Sequence, residues 1–300
     1  MSEPRSPPLL VSALIPLVCA AVAGGVGWFA GQGGVAVAGV PLVAACAAVA
    51  MLVNWLAFVP AALQQTERFY DLTGSLTYLT LIAFSLGVAA TDHPPGARQL
   101  VVSTMVLVWA ARLGSFLFRR IQRAGKDGRF DDIKTHPLRF LTAWSLQGLW
   151  VFLTALGVLI LNAQAEATPL LWTDAVGWSL WALGFGIEVV ADAQKSAFKA
   201  RPESEGRWID EGLWRYSRHP NYFGEILLWT GIFVSGAGVF EGAQWLAALS
   251  PLFVTFLLTK VSGVPMLEQR ADARWGDDPD YRAYKAATRT LVPWFRGASG

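Results

Sequence analysis

The sequence predicts an all-α, polytopic membrane helix bundle of about eight transmembrane helices. Three observations carry this prediction. Hydrophobic types make up 54% of the 300 residues, and the mean hydropathy is +0.41. Charged types make up only 15%, against about 25% in a soluble domain. The 14 tryptophans and 17 phenylalanines carry more aromatic area than a soluble surface can hide. The same figures exclude disorder, collagen and coiled coil.

A helix needs about 20 apolar residues to cross the hydrocarbon core. On that ruler the predicted spans are 10–30, 36–62, 74–91, 98–118, 139–161, 171–191, 222–239 and 243–262. The first follows Arg5 and is read as a retained span, because the apolar run is long for a signal peptide and lacks a polar end. The seventh is the weakest, being interrupted by Gly231, Gly236 and Gly238 and carrying Glu225. Basic residues test the map. Segments 119–139, 192–221 and the tail after 262 hold nineteen of the 24, and loops 92–97, 162–170 and 240–242 hold none. Eight spans then place both termini on the cytoplasmic side.

Charge and cysteine content remove other classes. A net charge of +2, with the basic residues lying between apolar runs, argues against nucleic acid as a partner. Cys19 and Cys46 sit inside apolar segments, which disfavours disulfides and thiolate metal sites. Three histidines, His93, His136 and His219, are too few for a His-rich metal centre, so no metal is expected.

The most specific string is Gly212-Leu213-Trp214-Arg215-Tyr216-Ser217-Arg218-His219-Pro220-Asn221-Tyr222-Phe223-Gly224-Glu225. His219-Pro220 stops a preceding helix, and Asn221 and Glu225, four apart, share one face of the next. A carboxylate entering the membrane needs a donor or an aqueous cavity. A positive-inside loop with a helix cap explains Arg215 and Arg218, but not Asn221, Tyr222 and Glu225 together.

Arg-His-Pro-Asn-Tyr followed by Gly-Glu resembles the C-terminal domain shared by steroid 5α-reductases, sterol Δ14/Δ7 reductases and isoprenylcysteine-type methyltransferases. The ending Tyr284…Arg289-Thr290-Leu291-Val292-Pro293-Trp294-Phe295, with Gly263-Val264-Pro265-Met266-Leu267-Glu268, resembles the bacterial 5α-reductase-like branch, the DUF1295 type. The resemblance covers roughly residues 65–296. It implies N-terminal helices over 1–64 and a catalytic membrane domain over 65–300 forming a single structural unit. It also implies a multi-pass protein of the bacterial inner membrane with its cofactor site on the cytoplasmic side.

Three further clusters acquire roles from this resemblance. Glu188 and Asp192, four apart at an inner helix boundary, read either as an interfacial pair snorkelling to water beside Lys195 or, by resemblance, as contacts to ribose or adenine. Arg112, Arg119, Arg120 and Arg129 read either as positive-inside residues or as a clamp for the phosphates of NADPH. No Gly-x-Gly-x-x-Gly follows a strand, so no Rossmann domain is expected. Lys199, Trp208, Tyr216, Arg218, His219, Asn221, Tyr222, Glu225, Tyr284 and Arg289 complete the implied cofactor set. In the segment from Gln64 to Tyr78, Asp71 reads either as a helix N-cap or, with Tyr70 and Tyr78, as a donor to a substrate carbonyl. Trp109 matches the position of a substrate-binding tyrosine, Glu67 is a further candidate, and Gln147 either lines the cavity or packs helices.

The expected activity is hydride transfer from NADPH to the β-carbon of a conjugated, lipophilic enone such as a 3-oxo-4-ene steroid. The growing enolate would be stabilised by a protonated Asp71 or a tyrosine phenol. The substrate enters from the bilayer, membrane lipid surrounds the chain, and no obligate protein partner is expected. Two alternatives remain. One is an S-adenosylmethionine-dependent lipid or prenyl-cysteine methyltransferase, which would not need four arginines. The other is a non-enzymatic membrane scaffold, which leaves Asp192 and Glu225 unexplained.

Overall fold

The computed structural model describes residues 9–294. Its helices are α1 (Leu9–Ala30), α2 (Leu42–Gln64), α3 (Tyr70–Asp92), α4 (Ala97–Ala124), α5 (Pro137–Asn162), α6 (Trp172–Lys199), α7 (Pro220–Gly236), α8 (Leu249–Phe256), α9 (Val264–Trp275) and α10 (Pro279–Ala287). A two-residue hairpin, Ala36–Val37 paired with Val40–Pro41, is the sheet among the described residues; Ala38 and Gly39 turn it with positive φ.

Among the described residues, seven stretches are long and apolar enough to cross a membrane: Leu10–Ala30, Leu42–Gln64, Tyr70–Asp92, Ala97–Gln122, Pro137–Asn162, Trp172–Lys199 and Gly242–Trp275. The chain is a multi-pass, all-α membrane protein. The predicted span 222–239 is the one that falls short. α7 has 17 residues, about 25 Å of helix against a hydrocarbon core of about 30 Å. It ends where the Phe240 ring folds back over the Gly236 backbone. The last stretch is also broken: a 3-10 segment, Gly242–Ala248, precedes α8, a π-turn, Leu257–Val261, follows it, and α9 begins after Gly263.

Two compact units result. The first runs to Leu171 and adds Gly236–Leu249; the second takes Trp172–Ser235 and the chain from Ser250. α5 is the centre of the first unit, with 83% of its apolar window buried against 28–44% for α1 to α4. α1 meets α2 backbone to backbone at Gly27, where a Cβ would stand 2.8 Å from the Ala44 Cα. Helices from 1–64 and from 65–171 thus share one unit. Inside it, Asn162 ties α5 to Ser85 of α3 at 2.9 Å and to Ser103 of α4 at 3.1 Å.

In the second unit, α6 and α7 lie antiparallel with their backbones in contact. A Cβ on Gly184 would stand 2.6 Å from the Gly224 carbonyl oxygen, and a Cβ on Gly224 2.6 Å from that of Gly184. Gly177 and Gly231 repeat the arrangement at 2.5 Å in each direction. Both pairs are one heptad apart on their helices, so the same two faces meet twice. Small residues permit this close approach in a membrane, where dispersion replaces the hydrophobic drive between helices.

Candidate functional site

The glycine contact places the polar ends of α6 and α7 side by side. Asn221 Nδ2 donates to Asp192 Oδ1 at 3.3 Å. Asp192 and Glu188 are both buried, and a Cβ on Gly224 would stand 2.8 Å from the Glu188 backbone nitrogen. Asn221 lies in the first turn of α7 and Glu225 one turn further on, both half-buried. Three carboxylates and an amide therefore line this helix pair. Together they can accept from hydroxyl and amide protons and donate one amide bond.

The neighbouring residues of the motif are structural. Arg218 Nε donates to Glu268 Oε1 at 3.0 Å and its Nη2 to Glu268 Oε2 at 3.2 Å. Nη1 donates to the carbonyls of Lys285, at 2.9 Å, and Thr288, and Nη2 also reaches Thr290 Oγ1 at 2.9 Å. A guanidinium has five N–H donors, and all five are used. Arg218 is thus a hub that pins α9 and the residues after α10, and it has no donor left for a phosphate. His219 Nε2 lies 2.9 Å from Glu268 Oε1, and Lys285 Nζ lies 3.2 Å from Oε2. Burial pushes the His219 imidazole below its ordinary pKa despite Glu268. Burial lowers the Lys285 ammonium too, but Asp272 and Glu268 outweigh it and hold it above its usual range. Tyr222 stacks on His219 at 5.6 Å.

Other implied cofactor residues divide by environment. Tyr284 donates its hydroxyl to the Trp214 carbonyl at 2.8 Å, so that proton braces the loop before α7. Trp208 joins an aromatic cluster with Trp275, Tyr281 and Tyr284, at centroid distances of 6.1, 5.2 and 6.4 Å. The Tyr216 carbonyl receives the Trp294 N–H, and the Arg289 carbonyl receives that of Arg218. The Arg289 guanidinium lies 6.0 Å from the Trp294 ring centre. Lys199 is exposed at the end of α6. A cleft of about 590 Å³ in this unit is lined by Asp210, Glu211, Arg215, Asp280 and Tyr284. Three acids against one arginine do not suit phosphates.

In the first unit, α3 begins at Tyr70 with Phe69 as its N-cap. Asp71 is therefore a first-turn acid, not the cap, and its surroundings are not apolar. Its Oδ2 lies 3.3 Å from Arg120 Nη2 and its Oδ1 3.7 Å from Arg129 Nη2. Asp71 thus accepts from Arg120 and faces Arg129 rather than lying in an apolar shell. Tyr70 is also structural: its hydroxyl donates to the Ala143 carbonyl at 2.9 Å, and its ring packs on Phe130 and Trp144. Tyr78 and Trp109 are both buried and meet edge to face at 5.2 Å.

Arg129 is committed mainly to Asp127, with Nε to Oδ2 at 2.8 Å. Burial opposes the Asp127 carboxylate, but the hydrogen bonds and charge of Arg129 outweigh it and hold that carboxyl below the usual range. Arg112 lies over the Phe116 ring at 5.3 Å. Arg119 and Arg120 are exposed and, with Arg112, occupy α4 at positions seven and eight apart.

Residues 57–288 match the family described as a protein of unknown function, DUF1295. The chain belongs to that family. No curated protein and no solved structure matches it. The DUF1295 match takes in Asp71, Arg112, Arg119, Arg120, Arg129, the α6–α7 pair and Glu268; Arg289 lies outside it. Sequence reasoning missed Glu268 as the acceptor that gathers Arg218, His219 and Lys285. A signal existed, since Glu268 is the first acidic residue of α9 and follows Pro265 by three. It also left unresolved what Glu67 does: this buried side chain accepts from Lys134 Nζ and from the Asp127 N–H, each at 3.0 Å. No local pattern announces a partner that distant in the chain.

Proposed function

We propose that this DUF1295 protein is an NADPH-dependent membrane reductase of a conjugated C=C bond in a lipophilic enone, such as a 3-oxo-4-ene steroid. The observation that carries the reading is the Asn221–Asp192 pair, with Glu188 and Glu225, on two helices locked by glycine contacts. It is reinforced by the family, which is broadly linked to steroid 5α-reductase-like proteins. A dinucleotide presents hydroxyls and a carboxamide, and the donor set of the second unit fits them. Asp192 and Glu188 suit ribose hydroxyls, and Asn221 and Glu225 suit a carboxamide.

NADPH, when bound, supplies the hydride. The chain must then hold the cofactor, exclude water and stabilise charge on the substrate oxygen. Substitution at Asp71 and at Tyr78 reads which side chain supplies that donor. One observation favours a second reading, methyl transfer from S-adenosylmethionine: Arg129 is neutralised by Asp127 and Arg218 by Glu268, so fewer arginines remain to distinguish the two cofactors.

The deciding experiment is binding of each cofactor to the detergent-purified full chain, followed by NADPH consumption with a 3-oxo-4-ene steroid. Glu225→Ala should abolish retention of NADPH while leaving the melting temperature near wild type. Binding of S-adenosylmethionine but not NADPH would replace this reading with methyl transfer.

A further inference from the structure

The cleft of about 590 Å³ in the second unit plays no part in the reductase reading, yet its volume falls within the ~300–1,000 Å³ of small-molecule sites. One wall is the loop before α7, with Asp210, Glu211 and Arg215, the last of these ending a 3-10 turn, Gly212–Arg215. The other wall is one face of α10. Asp280, Ala283, Tyr284 and Ala287 follow one another at helical spacing, so they form a stripe along about 10 Å of helix. The rest of α10 is held by the protein: Tyr281 is buried beside Trp208 and Trp275, and Lys285 is paired with Asp272 and Glu268. Tyr284 donates its hydroxyl to the Trp214 carbonyl at 2.8 Å, which ties the two walls together.

The charges of the cleft decide what fits it. Glu211 is neutralised by Arg201, with Nη2 to Oε1 at 2.7 Å and Nη1 to Oε2 at 3.1 Å. Asp210, Arg215 and Asp280 are exposed, and none of their side chains forms an ion pair among the described residues. Two carboxylates and one guanidinium thus face a single cleft without neutralising one another. A bare phosphate would meet Asp210 and Asp280, and a simple cation would meet Arg215. A ligand that carries both an ammonium and a phosphate suits all three: its N–H donors meet the carboxylates, and its phosphate meets the guanidinium.

The chain beside the cleft selects among such ligands. Residues after α10 fold back along the same loop. The Arg218 N–H donates to the Arg289 carbonyl at 2.9 Å, Ser217 Oγ to the Leu291 carbonyl at 2.7 Å, and the Trp294 N–H to the Tyr216 carbonyl at 3.2 Å. The strap therefore reaches the residue next to Arg215, and it carries Val292 and Trp294, 54% and 65% exposed. The apolar helix α7 begins at Pro220, five residues beyond Arg215. An exposed tryptophan and valine at such a boundary match the interfacial zone of a bilayer. They can pack against acyl chains, which a soluble zwitterion lacks.

We propose that this cleft binds the headgroup of a zwitterionic phospholipid with a primary ammonium, of the phosphoethanolamine type. The ammonium faces Asp210 and Asp280, the phosphate faces Arg215, and the acyl chains lie over Val292 and Trp294. The inference is independent of the reductase reading, because none of these residues belongs to the α6–α7 pair.

Lipid titration of the delipidated, detergent-purified full chain, read as retained lipid by native mass spectrometry, tests it. Phosphatidylethanolamine should bind about tenfold or more tightly than phosphatidylcholine, whose ammonium has no N–H, and than phosphatidylglycerol, which has no ammonium. Asp210→Asn/Asp280→Asn should weaken phosphatidylethanolamine by about tenfold or more, and so should Arg215→Gln. Asp277→Asn, an exposed acid outside the cleft lining, should leave it unchanged. Val292→Ser/Trp294→Ser should weaken the lipid but not soluble phosphoethanolamine. Melting temperature checks the fold of each variant, and where one fails to fold the comparison of lipids on the wild type decides. Equal affinity for the three lipids overturns the proposal, as does phosphatidylethanolamine binding that the cleft variants leave intact. Phosphoethanolamine binding as tightly as the lipid overturns it in favour of a soluble zwitterion, and displacement of the lipid by equimolar pentalysine overturns it in favour of a basic peptide.

Discussion

Gly224→Ala tests whether backbone contact between α6 and α7 builds the polar pair. The new Cβ would stand 2.6 Å from the Gly184 carbonyl oxygen, 2.8 Å from the Glu188 nitrogen and 3.1 Å from the Glu188 Cβ. Ordinary contact begins near 3.4 Å, so the deficit against the carbonyl is about 0.8 Å. The two closest neighbours are backbone atoms and cannot swing away, so the helices must separate or slide. Overpacking of this size costs about 1–3 kcal/mol, a fall in melting temperature of several degrees. The Asn221–Asp192 bond, already 3.3 Å long, has no slack to absorb such a shift, and side-chain contacts beyond about 3.5 Å are no longer hydrogen bonds. NADPH affinity should fall together with stability. Gly186→Ala on the same helix is the control. Nothing lies within 4 Å of its Cβ, and it should be neutral or stabilising by up to about 1 kcal/mol. Melting of the detergent-purified variants, with nucleotide titration, reads both effects. Gly224→Ala melting and binding like wild type would refute the idea that this contact sets the site.

Three other outcomes follow from the same geometry. Asp71→Asn should lose about 1 kcal/mol or less of ion pairing and keep its turnover of an enone within a few-fold; a loss of roughly 10²-fold or more would restore Asp71 as the acid. Glu268→Gln should destabilise the second unit by about 3 kcal/mol or more, because Arg218, Lys285 and His219 then face a neutral amide; thermal melting measures it, and an unchanged midpoint would show the cluster to be solvated. His219 gives a pH signature. Its folded pKa lies below its unfolded value of about 6.5, so its stabilisation is present above that pH and is lost as the pH falls through it. The wild type should lose melting temperature relative to His219→Gln between about pH 7 and 5, and parallel curves would remove His219 as the titrating group.

The fold was legible because its signal is spread over many residues. Apolar length located α1 to α6 and the broken last stretch, and the basic segments supported the same spans. It failed at α7, because helix length near the bilayer limit is decided by where the chain turns, here by Phe240 returning onto Gly236. The site was legible where partners lie within one helical turn, as with Asn221 and Glu225 or Glu188 and Asp192. It was illegible where a group's role depends on a partner from elsewhere in the chain. Asp71 reads as a cap or an acid until Arg120 and Arg129 appear beside it, and Tyr70 reads as a ligand contact until its hydroxyl meets the Ala143 carbonyl.

The same distinction separates residues within one motif. Arg218 and Asn221 stand three apart in the most specific string of the chain, and the string alone gives them one role. Hydrogen-bond valence parts them. Arg218 has five donors and five protein acceptors, so binding a phosphate would require breaking a bond to Glu268, Thr290 or a backbone carbonyl. Asn221 has one amide bond, to Asp192, and is half-buried. Substitution at Arg218 must therefore act first on folding of the second unit, whereas substitution at Asn221 acts on whatever the α6–α7 pair holds. The saturated residues thus preserve the scaffold whichever cofactor is bound, and the unsaturated ones are left to select it.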